Sequence, residues 1–231
     1  MKRFWKEAVA HRVPEGWEIR LDGRPVRTPG KNMLLAPNEA VAQAVVAEWD
    51  GQETEVDPRQ MPNTGYLNAA IDRISADPEL FVTEIAKFAE SDLLCYRAEG
   101  PASLVARQAD AWDPVLDWAR EYYGVEFRVT SGIAFVAQPD ATIARLREEV
   151  AIRSAIELAP LSTLASISGS LVLALAVHEE RLAPADAFAI STIDEQWQTE
   201  NWGEDSLATA ATENRQRDFL AAARLLELLK A

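Results

Sequence analysis

Between Leu161 and Val177 the chain carries no charged side chain, and this run constrains the fold more than any other stretch. Its leucines and valines have to leave water, since each buried aliphatic side chain is worth about 1.5–3 kcal/mol. The run also contains Ser162, Thr163, Ser166, Ser168, Gly169 and Ser170, and it falls short of the roughly 20 apolar residues that span a bilayer. It is therefore expected as a central helix buried on several sides. Its serines suit close helix packing better than nucleophilic catalysis.

Around that run the apolar spacing predicts further helices over 101–123, 141–158, 184–201 and 206–230. Pro139, Pro160 and Pro184 are each expected at a helix start, where the missing amide hydrogen is not needed. Only 125–133 reads as extended, because Val125, Phe127 and Val129 alternate with Glu126 and Arg128.

The beginning of the chain differs. Trp17, Ile19 and Leu21 alternate with Glu18 and Arg20, the period of a half-buried strand. Asp22-Gly23 follows directly and predicts a tight hairpin, whose two central residues need positive φ. The return strand is expected over 24–28, with Pro25 marking an edge, and 33–36 supplies a third short strand. Residues 37–49 read as a helix ended by Gly51, and the prolines of 52–63 mark a connector. Helical spacing resumes at Thr64 and restarts at Asp77-Pro78. The expected fold class is α+β: a small N-terminal α/β module built on the hairpin (1–75), then a larger all-helical C-terminal domain (76–231).

Charge supports that division and narrows the function. The first 75 residues hold 10 basic and 11 acidic side chains, whereas the remainder holds 13 and 26. With a net charge of −14 and no Lys/Arg run, neither nucleic acid nor an anionic membrane is an expected partner. The lone Cys95 excludes an internal disulfide and suits a reducing compartment. His11 and His178 are isolated, and no His-x-x-x-His, Glu-x-x-His or Cys-x-x-Cys spacing occurs, so neither metal nor cofactor is expected. Lys2, Arg3 and Lys6 introduce no apolar signal sequence, which points to the cytoplasm.

Function is expected in 194–205, where two tryptophans stand among carboxylates and carboxamides. At helical spacing Asp194, Gln198, Asn201 and Asp205 would form one polar ridge beside the apolar stripe that Trp197 continues. Glu195, Trp202 and Glu204 complete the candidate set. Adjacent Glu204 and Asp205 also allow an alternative, a small carboxylate-based hydrolase, although no histidine accompanies them.

Several short motifs, in order along almost the whole chain, resemble those of one family. They are Arg3-Phe-Trp-Lys6, Leu21-Asp-Gly-Arg-Pro-Val-Arg-Thr-Pro29, Glu48-Trp-Asp50, Met61-Pro62 with Asn68-Ala-Ala-Ile-Asp-Arg73, Asp92-Leu-Leu-Cys-Tyr-Arg97, Gln108 with Trp112-Asp-Pro114, and Asp194-Glu-Gln196 with Trp202-Gly-Glu-Asp205. The family is that of assembly chaperones binding the α subunit of the F-type ATP synthase. The resemblance implies a non-enzymatic protein that shields the unassembled α subunit and yields it to the β subunit. It also implies that Trp202, Glu204 and Asp205 touch the partner, with Trp197, Asp194 and Glu195 assisting. A bacterial member would act in the cytoplasm and a eukaryotic one in the mitochondrial matrix.

Overall fold

The computed structural model describes residues 2–231, which fall into two compact units. One runs to Pro78 and takes in 154–160 and 224–231; the other comprises 79–153 and 161–223.

The first unit is built on an antiparallel sheet of β1 (Ala8–Val13), β2 (Gly16–Leu21), β3 (Arg24–Pro25) and β4 (Leu35–Ala36). Strand β2 is central, paired with β1 along one edge and with β3 and β4 along the other. Ile19 and Leu21 are buried, while Glu18 and Arg20 share the other face and pair at 2.8 Å. The hairpin forms as expected: Asp22 (φ 47°) and Gly23 (φ 79°) both take positive φ. Asp22 also accepts from the amides of Lys6 and Glu7 at 3.0 Å each, and these bonds hold its pKa below the ordinary value.

Strand β1 has no counterpart in the sequence reading. Its residues are mostly exposed or half-buried, so the ladder to β2 defines it more than an apolar pattern does. That ladder closes at Gly16 (φ 145°), where a Cβ would stand 2.6 Å from the carbonyl oxygen of Ala36. Only glycine fits there.

Helix α1 (Glu39–Asp50) begins at Asn38, whose Oδ1 accepts from the Val41 amide at 2.9 Å while Nδ2 donates to the Leu228 carbonyl at 2.8 Å. Val41, Val45 and Trp49 then enter a core shared with Trp5, Ile19, Leu34, Leu67 and Leu225. Helix α2 (Pro62–Ala69) passes into a π turn at Ala70–Ile74. From that turn the Asp72 carboxylate accepts from the Thr28 hydroxyl at 2.6 Å, the Gly30 amide at 2.7 Å and Asn32 Nδ2 at 2.9 Å, fixing the loop after the return strand.

The second unit is mainly helical: α3 (Pro78–Ala86), α4 (Ala102–Tyr123), α5 (Asp140–Ala151), α6 (Ala155–Ser168), α7 (Leu171–His178), α8 (Pro184–Ser191), α9 (Ile193–Trp202) and α10 (Ser206–Leu229), of which α3, α6 and α10 also lend residues to the first. It is not wholly so, since β5 (Tyr96–Arg97) and β6 (Thr130–Ser131) make a short parallel pair. Val125 and Phe127 are buried without strand pairing, because only the end of the extended stretch reaches β5.

Three helix boundaries depart from expectation for local reasons. The apolar run is two helices, broken at Gly169 (φ 66°) and restarted by Ser170, which accepts from the Leu173 amide at 3.0 Å. All eight residues of α7 are buried, so the central position holds even though the single helix does not. The helix expected over 141–158 stops at Ala151, and the chain restarts at Ser154, where the Glu157 carboxylate reaches back to accept from the Ser154 amide at 2.9 Å and from its hydroxyl at 2.5 Å. Pro160 accordingly lies inside α6 and not at its start. The third break, at Thr192, shapes the candidate site. Among the described residues no helix is long and apolar enough to cross a membrane.

At the head of α7 the wholly buried Asp92 accepts from the amides of Leu94 at 3.1 Å and Val172 at 3.0 Å. Burial outweighs these bonds and pushes its pKa up to about 6.

Candidate functional site: the groove between α9 and α10

Thr192 interrupts the helix expected over 184–201. Its hydroxyl donates to the Phe188 carbonyl at 3.1 Å, a back-bond that competes with continued helix. Gln196 completes the break by donating from Nε2 to the Ala189 carbonyl at 3.0 Å. The chain therefore enters α9 as a separate helix.

Helix α9 ends at Trp202 because Gly203 adopts φ 90° and ψ 169°, a region essentially closed to other residues. Asp205 then opens α10, its Oδ1 accepting from the Leu207 amide at 2.9 Å and its carbonyl from the Thr209 amide at 2.8 Å. The polar ridge expected along one helix is thus divided. Asp194, Gln198 and Asn201 stay on α9, where Asn201 turns back to the Trp197 carbonyl at 2.8 Å, while Asp205 belongs to the next helix.

Between Gly203 and a second tie lies an open groove of about 850 Å³. The tie joins the Arg215 guanidinium on α10 to the Glu195 carboxylate on α9, supported by the Thr212 hydroxyl at 3.3 Å. Phe188 and Ala189 of α8 line the groove with Trp202, Ala208 and Ala211. Phe188 is buried and meets the buried Phe219 ring at 5.7 Å between centroids, which fixes α8 against α10.

The expected site residues separate by what already holds them. Trp202 is 74% exposed and stands edge-on to the half-buried Trp197 at 5.5 Å. Glu204 is exposed and makes no hydrogen bond or ion pair among the described residues. Asp205 lines the groove beside it while serving as the cap of α10. Glu195 lines the groove but is engaged by Arg215. Asp194 and Trp197 stand off it, and Asp194 Oδ1 accepts from the wholly buried Gln108 at 2.6 Å.

Charge at the groove is one-sided. Glu195, Glu200, Glu204, Asp205 and Glu213 line it against a single cation, Arg215. Arg107 neutralises Glu200 through bonds of 2.8 and 2.9 Å to its two oxygens. Glu204, Asp205 and Glu213 therefore remain without a cationic partner, Asp205 being engaged only as the cap of α10, in a lining that also carries the exposed Trp202. Sequence reasoning does not single out Leu207, 81% exposed in the first turn of α10; its place two residues after the capping acid was the available signal. No histidine lines the groove.

Comparisons with known proteins point to one family. The model of the ATP12 chaperone protein family matches residues 2–120. The chain is 37% identical to Atp12 of Paracoccus denitrificans, whose crystal structure superposes with a TM-score of 0.94 over 98% of this chain and 97% of that one. A putative chaperone from Agrobacterium tumefaciens is 43% identical, with a TM-score of 0.94 over 99% of this chain and 86% of that one. The mitochondrial protein atp12 of Schizosaccharomyces pombe is 27% identical over 216 residues, which are 87% of this chain and 74% of that protein.

Proposed function

The chain belongs to the ATP12 chaperone family, assembly factors of the ATP synthase and not enzymes, and on that premise we propose that its client is the unassembled α subunit of the F-type enzyme. The protein holds that subunit, covers the surface that later meets the β subunit, and gives way when the two assemble. It acts in the cytoplasm of a bacterium, or in the mitochondrial matrix if the source is eukaryotic; the relatives include both kinds. The hydrolase alternative has no further support, since Asp205 is committed to capping α10 and the protein belongs to a family of chaperones.

The observation that carries the site is the pairing of exposed Trp202 with free Glu204 at the Gly203 turn. An orphan subunit presents apolar surface that would otherwise aggregate. An aromatic anchor gives binding energy, and a neighbouring anion selects a cationic approach and speeds encounter. Trp202, Glu204 and Asp205 make the direct contact; Trp197 sets the Trp202 ring, while Asp194 and Glu195 hold α9 in place. Because the free anions are exposed, the contact is salt-sensitive and reversible.

The test is co-purification of the tagged protein with freshly synthesised α and β subunits, beside Glu204→Lys. Selective capture of α, reduced at least tenfold by the charge reversal with helical content unchanged, is the expected result. A folded wild-type protein that ignores both subunits would refute the function.

A further inference from the structure

We infer that the groove between α9 and α10 receives one amphipathic α-helix of the client, apolar on the face turned inward and carrying Lys or Arg where it passes Glu204 and Glu213. The inference rests on the chaperone reading above and specifies what that reading leaves open, the form of the client segment that is held.

The walls decide between a helix and an extended segment. Both flanks of the groove are helices, whose interior amides and carbonyls are already bonded to one another. They offer no backbone edge to an extended segment, which on entering would bury its own amides and carbonyls without partners. Each such loss costs about 1–3 kcal/mol. A helix brings its backbone bonds with it and needs only side-chain contact. Ala208 and Ala211 keep one wall low, Phe188 and Ala189 give an apolar base, and Trp202 stands at the Gly203 end.

Charge complementarity fixes the chemistry of the incoming face. Arg215 is held by Glu195 and Arg107 by Glu200, so the lining offers no free cation, while Glu204 and Glu213 have no counter-ion among the described residues. An acidic helix would add unpaired anions to this lining, and a purely apolar one would leave both glutamates unmatched. The occupant therefore combines apolar and basic residues. The groove also has two fixed limits along its length, the Gly203 turn and the Glu195–Arg215 tie. Helix α9, ten residues long, rises about 15 Å, so the bound stretch is two to three turns.

The experiment places a benzophenone amino acid at Gln198, and in a second protein at Ala208, one on each wall; a third carries it at the exposed Ile152, outside the groove. Each is co-expressed with the α subunit, irradiated, and the linked α residues are mapped by mass spectrometry. Expected are links from both walls to one contiguous α-subunit segment, spaced three and four residues apart, at more than tenfold the yield from Ile152, and lost with Glu204→Lys. Links spaced two apart, or scattered over several segments, overturn the helix. Intact capture of α with no link from either wall overturns the groove as its seat while leaving the chaperone function standing. Failure of the unlabelled wild type to capture α refutes the proposed function instead.

Discussion

Gln108 on α4 holds Asp194 at the start of α9: its Nε2 donates to Oδ1 at 2.6 Å, while its own Oε1 accepts from the Ala98 amide at 2.8 Å. The carboxamide is wholly buried, so both of its ends are satisfied in sequence-distant places. Asp194 is therefore a positioning residue for α9. Asp194→Ala should lower unfolding stability by about 1–3 kcal/mol, because it strands a buried donor. Capture of the α subunit should persist below the new melting temperature. Urea titration beside a pull-down measures both, and a loss of capture without a loss of stability would make Asp194 a contact.

Trp202 should behave oppositely. It is exposed and its ring meets Trp197 edge-on, a pair worth about 0.5–1.5 kcal/mol. Trp202→Ala should reduce stability by no more than that, yet weaken α-subunit binding by roughly 30-fold or more if the indole is an anchor residue worth about 2 kcal/mol. Binding isotherms at two salt concentrations, with a thermal melt, separate the two effects.

Gly203 sets the angle between the groove walls. Gly203→Ala has open space for its Cβ but an unfavourable backbone at φ 90° and ψ 169°, a strain of about 1–3 kcal/mol. Relief of that strain would re-aim α10 relative to α9. Expected are a lower melting temperature and at least a tenfold weaker capture, whereas Gly23→Ala, on the hairpin in the other unit, should lower stability and spare capture.

Asp92 gives a pH signature. Burial raises its native pKa to about 6 from an ordinary 3.8, so between those values the folded protein binds more of this proton than the unfolded chain. Its contribution to stability therefore falls as pH rises from about 4 to about 6 and is flat above, opposite in sign to a hydrogen-bonded acid with lowered pKa such as Asp72. Comparing wild type with Asp92→Asn in urea melts across this window isolates the term. Asn should remove the slope while lowering stability throughout, because its amide nitrogen faces a backbone N–H that the carboxylate oxygen accepted.

Asn38 is the equivalent test in the first unit. Asn38→Ala removes the cap of α1 and the donor to the Leu228 carbonyl, and should cost about 1–2 kcal/mol. Hydrogen exchange should then rise first at the Val41 amide and in 224–231.

Local chemistry was legible without coordinates wherever a residue acts on near neighbours. Asp22-Gly23 forces the hairpin because few pairs tolerate two positive φ values, and Trp17, Ile19 and Leu21 alternate because strand side chains do. The helix start that Glu157 makes by reaching back to Ser154 was equally local, and the proline signal at Pro160 obscured it. Gly169 and Thr192 cut helices that apolar spacing alone joins, since periodicity records which side is buried and not whether the backbone continues.

Residue order and spacing were enough for the α+β class, the uncharged run at 161–177 and the acidic, tryptophan-bearing stretch at 194–205. Which of those acids are free depends on packing between distant parts of the chain. Gln108 meets Asp194 across 86 residues, Arg107 meets Glu200 across 93, and Arg215 reaches Glu195 from the next helix. The reason is physical: propensity and periodicity act over a few residues, whereas a carboxylate's availability depends on which distant donor the packed chain brings within hydrogen-bonding distance. Glu204 stays free because it lies in the Gly203 turn between two helices, where no described residue donates to it.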